Sequence, residues 1–534
     1  MKSVLNWSQW SLKEQIGQMI VVRTCGFLFD HQIRYPAWEA SNAQLQQWLE
    51  SLNLGGVILL GGSAVELKER SHTIQSWSQT PLLIAADIEE GVGQRFTGAT
   101  WFPPPMALGE IAKTNPTEAI QYAKQFGAIT AQEALAIGIN WILAPVVDVN
   151  NNPDNPVINI RAFGDTPELV SQLITSFIHG AAPYPILTTA KHFPGHGDTS
   201  TDSHLNLPVL EHSPARLAEI ELPPFQAAIS AGVDSVMTAH LLIPAWDSIR
   251  PATLSPEILT GQLRKKLGFD GLIVTDALIM GGVTNQYTPE EIAVMAVEAG
   301  ADILLMPSDP IIAIEAVYQA VQTGRISQER IIESVSRICQ LKDKLKPSHH
   351  SVSNFFSDLS SPIAHDTVVS ILTRSMKIGG KLPIILDEAK KRNLIVVDDV
   401  LNCDFLDRHT PAVTIPKQLG YEIQIVDQNT LGCIVEDSRQ TLLQVFIRGN
   451  PFRGTAGLTE TAQQVYQNLL KSRSLQGVII YGSPYVLEWF ESQMTNDLPW
   501  IFSYGQIPLA QKLACDRMFN LNIEQDKKDK TFTN

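Results

Sequence analysis

Short apolar runs alternate with amphipathic stretches through the first ~310 residues of the chain. This alternation is typical of successive βα units, in which buried parallel strands are joined by helices. Eight runs have the length of a buried strand: residues 19–22, 57–60, 82–86, 141–144, 186–190, 235–238, 272–275 and 303–306. They predict an α/β fold, a (β/α)8 barrel of the TIM type, with a doubly wound open sheet as the alternative.

Polar residues recur directly after these runs. They are Asp87, Asp148, Lys191, His192, His240, Asp276 and Asp309. In a barrel the carboxyl ends of all strands open onto one face, and active sites are built there. The repetition therefore favours the barrel, although Asp148, His240 and Asp309 taken singly are equally well explained as caps or loop residues.

A second, smaller domain is predicted beyond a serine-rich segment. We expect the barrel at 1–346, a linker at 347–361, an open α/β sandwich domain at 362–523 and a disordered tail at 524–534. The second domain is indicated by apolar runs at 394–397, 423–426, 443–447, 478–481 and 500–502. Because no GxGxxG follows any of these runs, a nucleotide site is not indicated.

Charge and cysteine content restrict the partners and the compartment. The net charge of −15 includes no basic stripe, so neither nucleic acid nor an anionic membrane is an expected partner. The N-terminus has no signal-peptide pattern and no run is long enough to span a bilayer, so a cytoplasmic location is expected. The five cysteines lack CxxC spacing, which favours reduced thiols. The sequence leaves the oligomeric state open.

The segment 191–208, KHFPGHGDTSTDSHLNLP, is the strongest candidate for the chemistry. Its composition predicts a loop that leaves the end of the fifth strand. His192 and His196 are four residues apart, but the intervening proline and glycine exclude the regular helix that a zinc pair would require. A metal-dependent hydrolase that uses these two histidines and His204 remains a disfavoured alternative.

Two elements could perform acid/base and nucleophilic chemistry. In an extended loop Asp202 and His204 project to the same side, so the carboxylate can orient the imidazole for proton transfer near neutral pH. Asp276, in GLIVTDALIMGG, stands at the barrel mouth, where a fixed carboxylate can attack an anomeric carbon. The competing interpretations are a surface Asp-x-His without function and a carboxylate that forms an ion pair or caps a loop.

A third element is a group of charged residues at other strand ends. Asp87 opens DIEEGVGQRF, Arg95 closes it, and Arg161 lies in INIRAFGD. Carboxylate and guanidinium groups at a barrel mouth suit paired hydrogen bonds to sugar hydroxyls. Surface ion pairing is the alternative for each arginine.

Together KHFPGHGDTSTDSH, DIEEGVGQRF, RAFG and VTDAL resemble glycoside hydrolase family 3, and within it the bacterial cytoplasmic β-N-acetylglucosaminidases that act on peptidoglycan fragments. The resemblance implies a retaining mechanism with Asp276 as nucleophile and His204, oriented by Asp202, as acid/base. It also implies sugar binding by a set of five residues: Asp87, Arg95, Arg161, Lys191 and His192. It implies no cofactor and no metal.

Two other functions remain open at this point. Relatives in the family that act on glucosides lack the Asp-x-His pattern, so Asp202 and His204 favour the N-acetylglucosaminidase branch over a β-glucosidase or broad exo-β-glycosidase. A non-catalytic sugar-binding protein would lack a paired nucleophile and acid.

Overall fold

The structure is a computed structural model that describes residues 6–345, 357–401, 403–434, 438–449, 457–472 and 474–521. The chain divides into two compact units, Met1–Thr367 and Val368–Asn534. Residues 347–356 of the predicted linker and the whole predicted tail at 524–534 lie outside the described residues. The predicted domain boundaries therefore stay predictions.

The first unit is a barrel of parallel strands. Its strands are β1 (Ile20–Cys25), β2 (Gly56–Leu60), β3 (Leu83–Ala86), β4 (Trp141–Ile142), β5 (Leu187–Phe193), β6 (Ser235–Thr238), β7 (Leu272–Val274) and β8 (Leu304–Leu305). They pair in the order β7-β6-β5-β4-β3-β2-β1-β8, and a parallel bridge between Val274 and Ile303 joins the two ends. The predicted (β/α)8 barrel is confirmed, and the open-sheet alternative is wrong.

Helices alternate with the strands. They span Leu12–Gly17, Asn42–Ser51, Ala64–Ser76, Met106–Thr114, Pro116–Ala136, Pro167–Ala181, Pro214–Glu219, Leu222–Ser230, Glu257–Lys266, Gly281–Thr284, Pro289–Ala299, Pro310–Gln322 and Gln328–Lys344. Several begin with a side-chain cap followed by proline, as at Asn115, Ser213 and Thr288, because proline has no amide hydrogen to leave unbonded in the first turn. None of the helices described is long and apolar enough to cross a bilayer.

A buried ionic network closes the N-terminal end of the barrel. Asp302 precedes β8, is fully buried, and accepts from Arg264 Nη2 at 2.7 Å and from the Ile273 amide at 3.0 Å. Its other oxygen accepts from Arg330 and Arg337, each at 3.2 Å. Burial alone would raise the pKa of Asp302, but the three guanidinium groups lower it below the ordinary value. The carboxylate therefore stays charged inside the protein.

A buried lysine lies close to the same end. Lys342, on the helix Gln328–Lys344, is 3% exposed and donates to Gln18 Oε1 at 2.7 Å, just before β1. The partner is a neutral amide rather than a carboxylate. Burial therefore lowers the pKa of Lys342 to about 7.

The second unit is a smaller open α/β sheet, as predicted. Its strands are β9 (Lys377–Gly379), β10 (Lys391–Val397), β11 (Tyr421–Val426), β12 (Gln440–Ile447), β13 (Leu475–Gly482) and β14 (Trp500–Ser503), in the order β11-β10-β12-β13-β14-β9. Only the pairing of β9 with β14 is antiparallel. Its helices span Pro411–Gln418, Glu460–Lys471, Pro484–Glu491 and Pro508–Phe519, and Pro362–Ser375 crosses the division between the units. β9 was not predicted because its residues form no apolar run.

Candidate active site

Asp276 follows β7 at the barrel mouth, where the backbone is held on both sides. The Thr275 amide donates to the Ile303 carbonyl at 3.0 Å, and Thr275 Oγ1 accepts from the Leu305 amide at 2.9 Å. Asp276 Oδ1 accepts from the Ala277 amide at 2.7 Å. Because the strand end is fixed against β8, the carboxylate is held in one place.

The charges around Asp276 favour its ionised form. Burial would raise the pKa of its carboxyl group, but His192, His240 and His204, together with the Ala277 amide, lower it below the ordinary value. An ionised carboxylate is the form that a nucleophile requires.

The expected hydrogen bond between Asp202 and His204 is present. Asp202 Oδ1 accepts from His204 Nδ1 and from the His204 amide, each at 2.9 Å. The expectation of an extended chain is wrong, because the Leu205 and Asn206 amides donate to the Asp202 carbonyl and close a turn. The carboxylate meets the ring because it caps this turn. Asp202 is buried and the His204 side chain is 21% exposed.

The loop that carries this pair is bound to the turn after Asp276. The Gly281 amide donates to the His204 carbonyl, and the Gly282 amide to the Ser203 carbonyl, each at 3.1 Å. A Cβ atom at Gly281 would lie 2.5 Å from the Leu205 carbonyl oxygen, so only glycine allows this approach. Backbone bonds between segments that follow different strands therefore hold the Asp202–His204 pair against the residues after Asp276.

His196 supports the loop from within. Its ring nitrogens bond to Thr199 Oγ1 at 2.8 Å and to Ser203 Oγ at 2.9 Å. Asn155 Nδ2 donates to the carbonyls of His196 and Gly197. Burial lowers the pKa of His196 to about 4, so the ring is neutral near pH 7. It braces the segment that carries Asp202 and His204.

His192 belongs to the end of β5 rather than to the loop. The pairing of β5 with β6 shifts register between Lys191 and Phe193, as at a bulge, which re-aims side chains. His192 Nδ1 bonds to Asp148 Oδ2 at 2.8 Å, and both oxygens of this carboxylate lie within 3.3 Å of the His192 amide. Asp148, for which a cap or loop position was equally acceptable, is a fully buried anchor of His192 and His196.

Lys191 and Arg161 converge on Glu89. Lys191 Nζ lies 2.7 Å from Asp87 Oδ1 and 2.6 Å from Glu89 Oε1. Arg161 donates to both oxygens of Glu89 at 2.8 Å. Burial favours neutral forms, but the opposite charges prevail: the pKa of Lys191 is raised and that of Glu89 is well below its ordinary value. The Asp87 side chain remains 34% exposed toward solvent.

Arg95 lies at the edge of this group. Its Nε donates to the Asp87 carbonyl at 3.0 Å, and the side chain is exposed. Direct bonds thus join Asp87, Arg95 and Lys191, and His192 and His204 contribute to the lowered pKa of Asp276. Arg161 joins this group through Glu89.

Glu89 and His240 were not predicted as site residues. Glu89 lies only two positions after Asp87, but its burial between two cations depends on tertiary structure and leaves no sequence signal. His240, considered only as a strand-end residue, bonds to Thr253 Oγ1 at 2.8 Å and to the Ala277 carbonyl at 3.1 Å. A carbonyl only accepts, so His240 Nε2 donates and steadies the backbone beside Asp276.

Two further sequence expectations are clarified by the structure. Asp309 caps the helix Pro310–Gln322 by accepting from two backbone amides, which is the ordinary alternative considered for it. The disfavoured zinc set of His192, His196 and His204 is not among the groups of metal-type ligand atoms that converge within the described residues.

In the part of the chain that the structure describes, the metal-type ligand atoms that converge within 4.8 Å belong to Asp198, His212 and Glu221. Arg216 Nη1 lies 2.8 Å from Glu221, and Arg216 Nη2 lies 3.4 Å from Asp198. The guanidinium group already supplies the positive charge that these carboxylates attract, and the cluster is best described as an ionic tether between the loop and the helices that follow it.

The fold agrees with comparisons to known proteins. Residues 11–341 match the "Glycosyl hydrolase family 3 N terminal domain", and residues 384–520 match the "Bacterial Glycosyl hydrolase family 3 C-terminal domain". The chain belongs to glycosyl hydrolase family 3, as the sequence motifs predicted.

Two curated members of the family are similar to this chain over part of their length. "Beta-hexosaminidase A" of Pseudoalteromonas piscicida is 34% identical over 394 residues, which cover 66% of this chain and 64% of the relative. "Beta-N-acetylglucosaminidase/beta-glucosidase" of Cellulomonas fimi is 31% identical over 350 residues, which cover 62% of this chain and 61% of the relative. This chain therefore spans less than two thirds of the length of either protein.

A solved structure matches over both units. The family 3 β-N-acetylglucosaminidase from Paenibacillus sp. str. FPU-7 is 29% identical, and the match covers 96% of this chain and 97% of that one with a TM-score of 0.78. The two-unit architecture is thus shared along nearly the full length of both chains.

Proposed function

We propose that the protein is a retaining, exo-acting glycosidase that removes terminal β-linked N-acetylglucosamine, or another N-acetylhexosamine, through a covalent glycosyl-enzyme. One observation carries the proposal: the hydrogen-bonded pair of Asp202 and His204 is tied by backbone bonds to Gly281 and Gly282, which begin the short helix after Asp276. A nucleophile and an oriented proton donor are the two groups that a retaining glycosidase needs.

In the first step an Asp276 oxygen attacks the anomeric carbon, and the bond from that carbon to the leaving oxygen breaks. His204, as an imidazolium, gives the Nε2 proton to the leaving oxygen while Nδ1–H donates to Asp202. Asp202 fixes the orientation of the ring, as an aspartate does for the histidine of a protease triad.

In the second step His204 acts as a base. Neutral Nε2 takes a proton from water as the water oxygen attacks the anomeric carbon, and the bond to Asp276 breaks. The carboxylate returns to the ionised form that its surroundings favour, and His204 is again an imidazolium. Each catalytic group thus ends the cycle in its starting state.

The sugar-binding role is assigned to Asp87, Arg95, Arg161, Lys191 and His192. Lys191 has three donors and uses two of them on Asp87 and Glu89, so a third can reach a hydroxyl. The exposed part of Asp87 offers an acceptor. Because these charges are already paired, they are rigid before substrate arrives, which lowers the entropic cost of binding.

The leading alternative is a β-glucosidase or broad exo-β-glycosidase. It is supported by the Cellulomonas fimi relative, whose name gives both β-N-acetylglucosaminidase and β-glucosidase activities. Comparing hydrolysis of nitrophenyl N-acetyl-β-glucosaminide and nitrophenyl β-glucoside decides between them. We expect the larger kcat/KM for the N-acetylglucosaminide. A larger kcat/KM for the glucoside would replace the proposed specificity.

Peptidoglycan fragments in the cytoplasm are the natural substrate that we propose. A purified disaccharide-peptide with terminal N-acetylglucosamine should release the free sugar, detectable by mass spectrometry. If no sugar is released while the nitrophenyl substrate is still cleaved, the proposed glycosidase activity stands, but the proposal of peptidoglycan fragments as the natural substrate fails.

Trapping tests the reaction type and the nucleophile together. A 5-fluoro glycosyl fluoride of N-acetylglucosamine should label the protein once, and the labelled peptide should contain Asp276. His204→Ala should slow substrates with poor leaving groups most, because these need protonation. A label on another residue would disprove the assignment of Asp276.

A further inference from the structure

A cavity of about 160 Å³ opens on the side of the barrel mouth where β8 meets β1. Its lining includes Arg23 on β1, Trp38 in the segment after β1, and Met306 directly after β8. Ile279, three residues after Asp276, completes the wall toward β7. The segment that follows the proposed nucleophile therefore forms part of the cavity wall.

The wall formed by Arg23 and Trp38 is rigid yet accessible. Arg23 donates to Glu39 Oε1 through Nε at 3.1 Å and Nη2 at 3.0 Å, and Glu39 is buried. The guanidinium group also lies 4.9 Å from the ring centroid of Tyr35 and 5.6 Å from that of Trp38. Both rings are 40% exposed. A fixed, half-exposed indole provides a flat apolar surface of the kind on which a sugar ring can pack.

The cavity lies on the remaining side of the barrel mouth, because Asp87, Lys191 and Asp276 are at the ends of β3, β5 and β7, and β8 and β1 complete the closed ring. A sugar held by Asp87 and Lys191, with its anomeric carbon at Asp276, would point its leaving group toward β8 and β1. His204 is bound at Gly281, two residues from Ile279, so the proton donor lies on the same side.

We propose that this cavity binds the leaving-group sugar, a single pyranose ring packed against Trp38, and so selects glycan over small aglycone substrates. The inference rests on the proposed glycosidase function. A cavity of this volume holds one six-membered ring rather than an oligosaccharide. The relevant substrates are therefore β-linked disaccharides and longer chains whose penultimate unit is a sugar.

The test compares two substrates that share the transferred sugar. N,N′-diacetylchitobiose fills the cavity, and N-acetyl-β-glucosaminyl fluoride does not. Trp38→Ala should lower kcat/KM for the disaccharide by about tenfold or more and change that for the fluoride by less than about twofold. Phe29→Ala is the matched control, because Phe29 is 60% exposed on the same segment and does not line the cavity.

A second variant tests the cavity independently, in case Trp38→Ala does not fold. Ala37 lines the cavity and is exposed, so Ala37→Leu should fill the space and reproduce the selective loss. Trp38→Phe, which keeps an aromatic ring, should recover part of the disaccharide activity.

The outcomes separate the two proposals. If wild-type protein cleaves the fluoride but Trp38→Ala and Ala37→Leu affect both substrates equally, or neither, the cavity is not the leaving-group site while the glycosidase stands. If wild-type protein cleaves neither substrate, the proposed function and the inference both fail.

Discussion

The two ends of the barrel both bury ionic groups, but they complete them differently. At the N-terminal end Asp302 is fully enclosed and its oxygens are bonded to arginines, a hydroxyl and an amide of the protein itself. At the mouth Lys191 is just as buried, yet Asp87, one of its two carboxylate partners, remains one third exposed. The first network is closed on itself, and the second retains capacity for an external molecule.

The contrast teaches which end carries stability and which carries chemistry. Removing any member of a closed ionic network destabilises the fold, because a buried charge without its partner is costly. An open network tolerates incompleteness, because solvent or substrate supplies the missing bonds. Substitutions at the two ends should therefore separate stability from activity.

The largest effect is expected at the mouth. Asp276→Ala removes the proposed nucleophile and should lower kcat by about 10³-fold or more, while the free energy of unfolding changes by less than about 1 kcal/mol. Steady-state kinetics and urea denaturation on the same preparation measure both quantities. Activity near that of the wild type would contradict the mechanism, and unfolding of the variant would contradict the separation of the two ends.

Next in size is the orienting carboxylate. Asp202→Asn keeps the shape but replaces the carboxylate that accepts from His204 Nδ1 and orients the ring, so kcat/KM should fall by about 10²-fold. Steady-state kinetics with nitrophenyl N-acetyl-β-glucosaminide measure this loss. A kcat/KM close to that of the wild type would contradict the orienting role of Asp202.

At the N-terminal end the expected effect is on stability. Asp302→Asn leaves three partly buried arginines without their shared, fully buried carboxylate and should cost about 3–5 kcal/mol of unfolding free energy. The activity of the folded fraction at low temperature should stay within about twofold of the wild type. A selective loss of kcat with full stability would overturn the division between the two ends.

The smallest effect concerns Lys342. Its pKa is about 7 in the folded protein against an ordinary value of 10.5, so the unfolded state binds more protons between these values and stability rises with pH across that window. Lys342→Met removes the cost of a buried charge at low pH. It should stabilise the protein by about 1 kcal/mol at pH 6 and less at pH 10. An equal difference at both pH values would exclude this explanation.

The barrel was predictable because each buried strand leaves an apolar run of strand length, and the polar residues that follow mark the same edge. The continuation of β5 through Lys191 and His192 was not predictable, since two polar residues after an apolar run are typical of a loop. Their burial depends on Asp87, Glu89 and Asp148, which come from other strands. Short-range patterns do not contain such contacts.

The hydrogen bond between Asp202 and His204 was predicted from their spacing, but the backbone conformation that brings them together was not. Asp202 and His204 were expected to meet along an extended chain, whereas a turn capped by the carboxylate brings them together. His240 was recognised only as a strand-end residue, because its bond to the Ala277 carbonyl joins positions 37 residues apart. The sequence therefore indicates which residue types are present, and the fold determines which of them touch.

The backbone bonds between the Asp202–His204 loop and Gly281–Gly282 also bear on recombination with relatives. A chimaera whose crossover falls between the two segments would combine a loop from one parent with a turn from the other. Any mismatch in loop length, or a side chain at position 281, would separate the proposed proton donor from the proposed nucleophile. Functional exchange should therefore require crossovers outside residues 202–282, so that both segments are inherited from one parent.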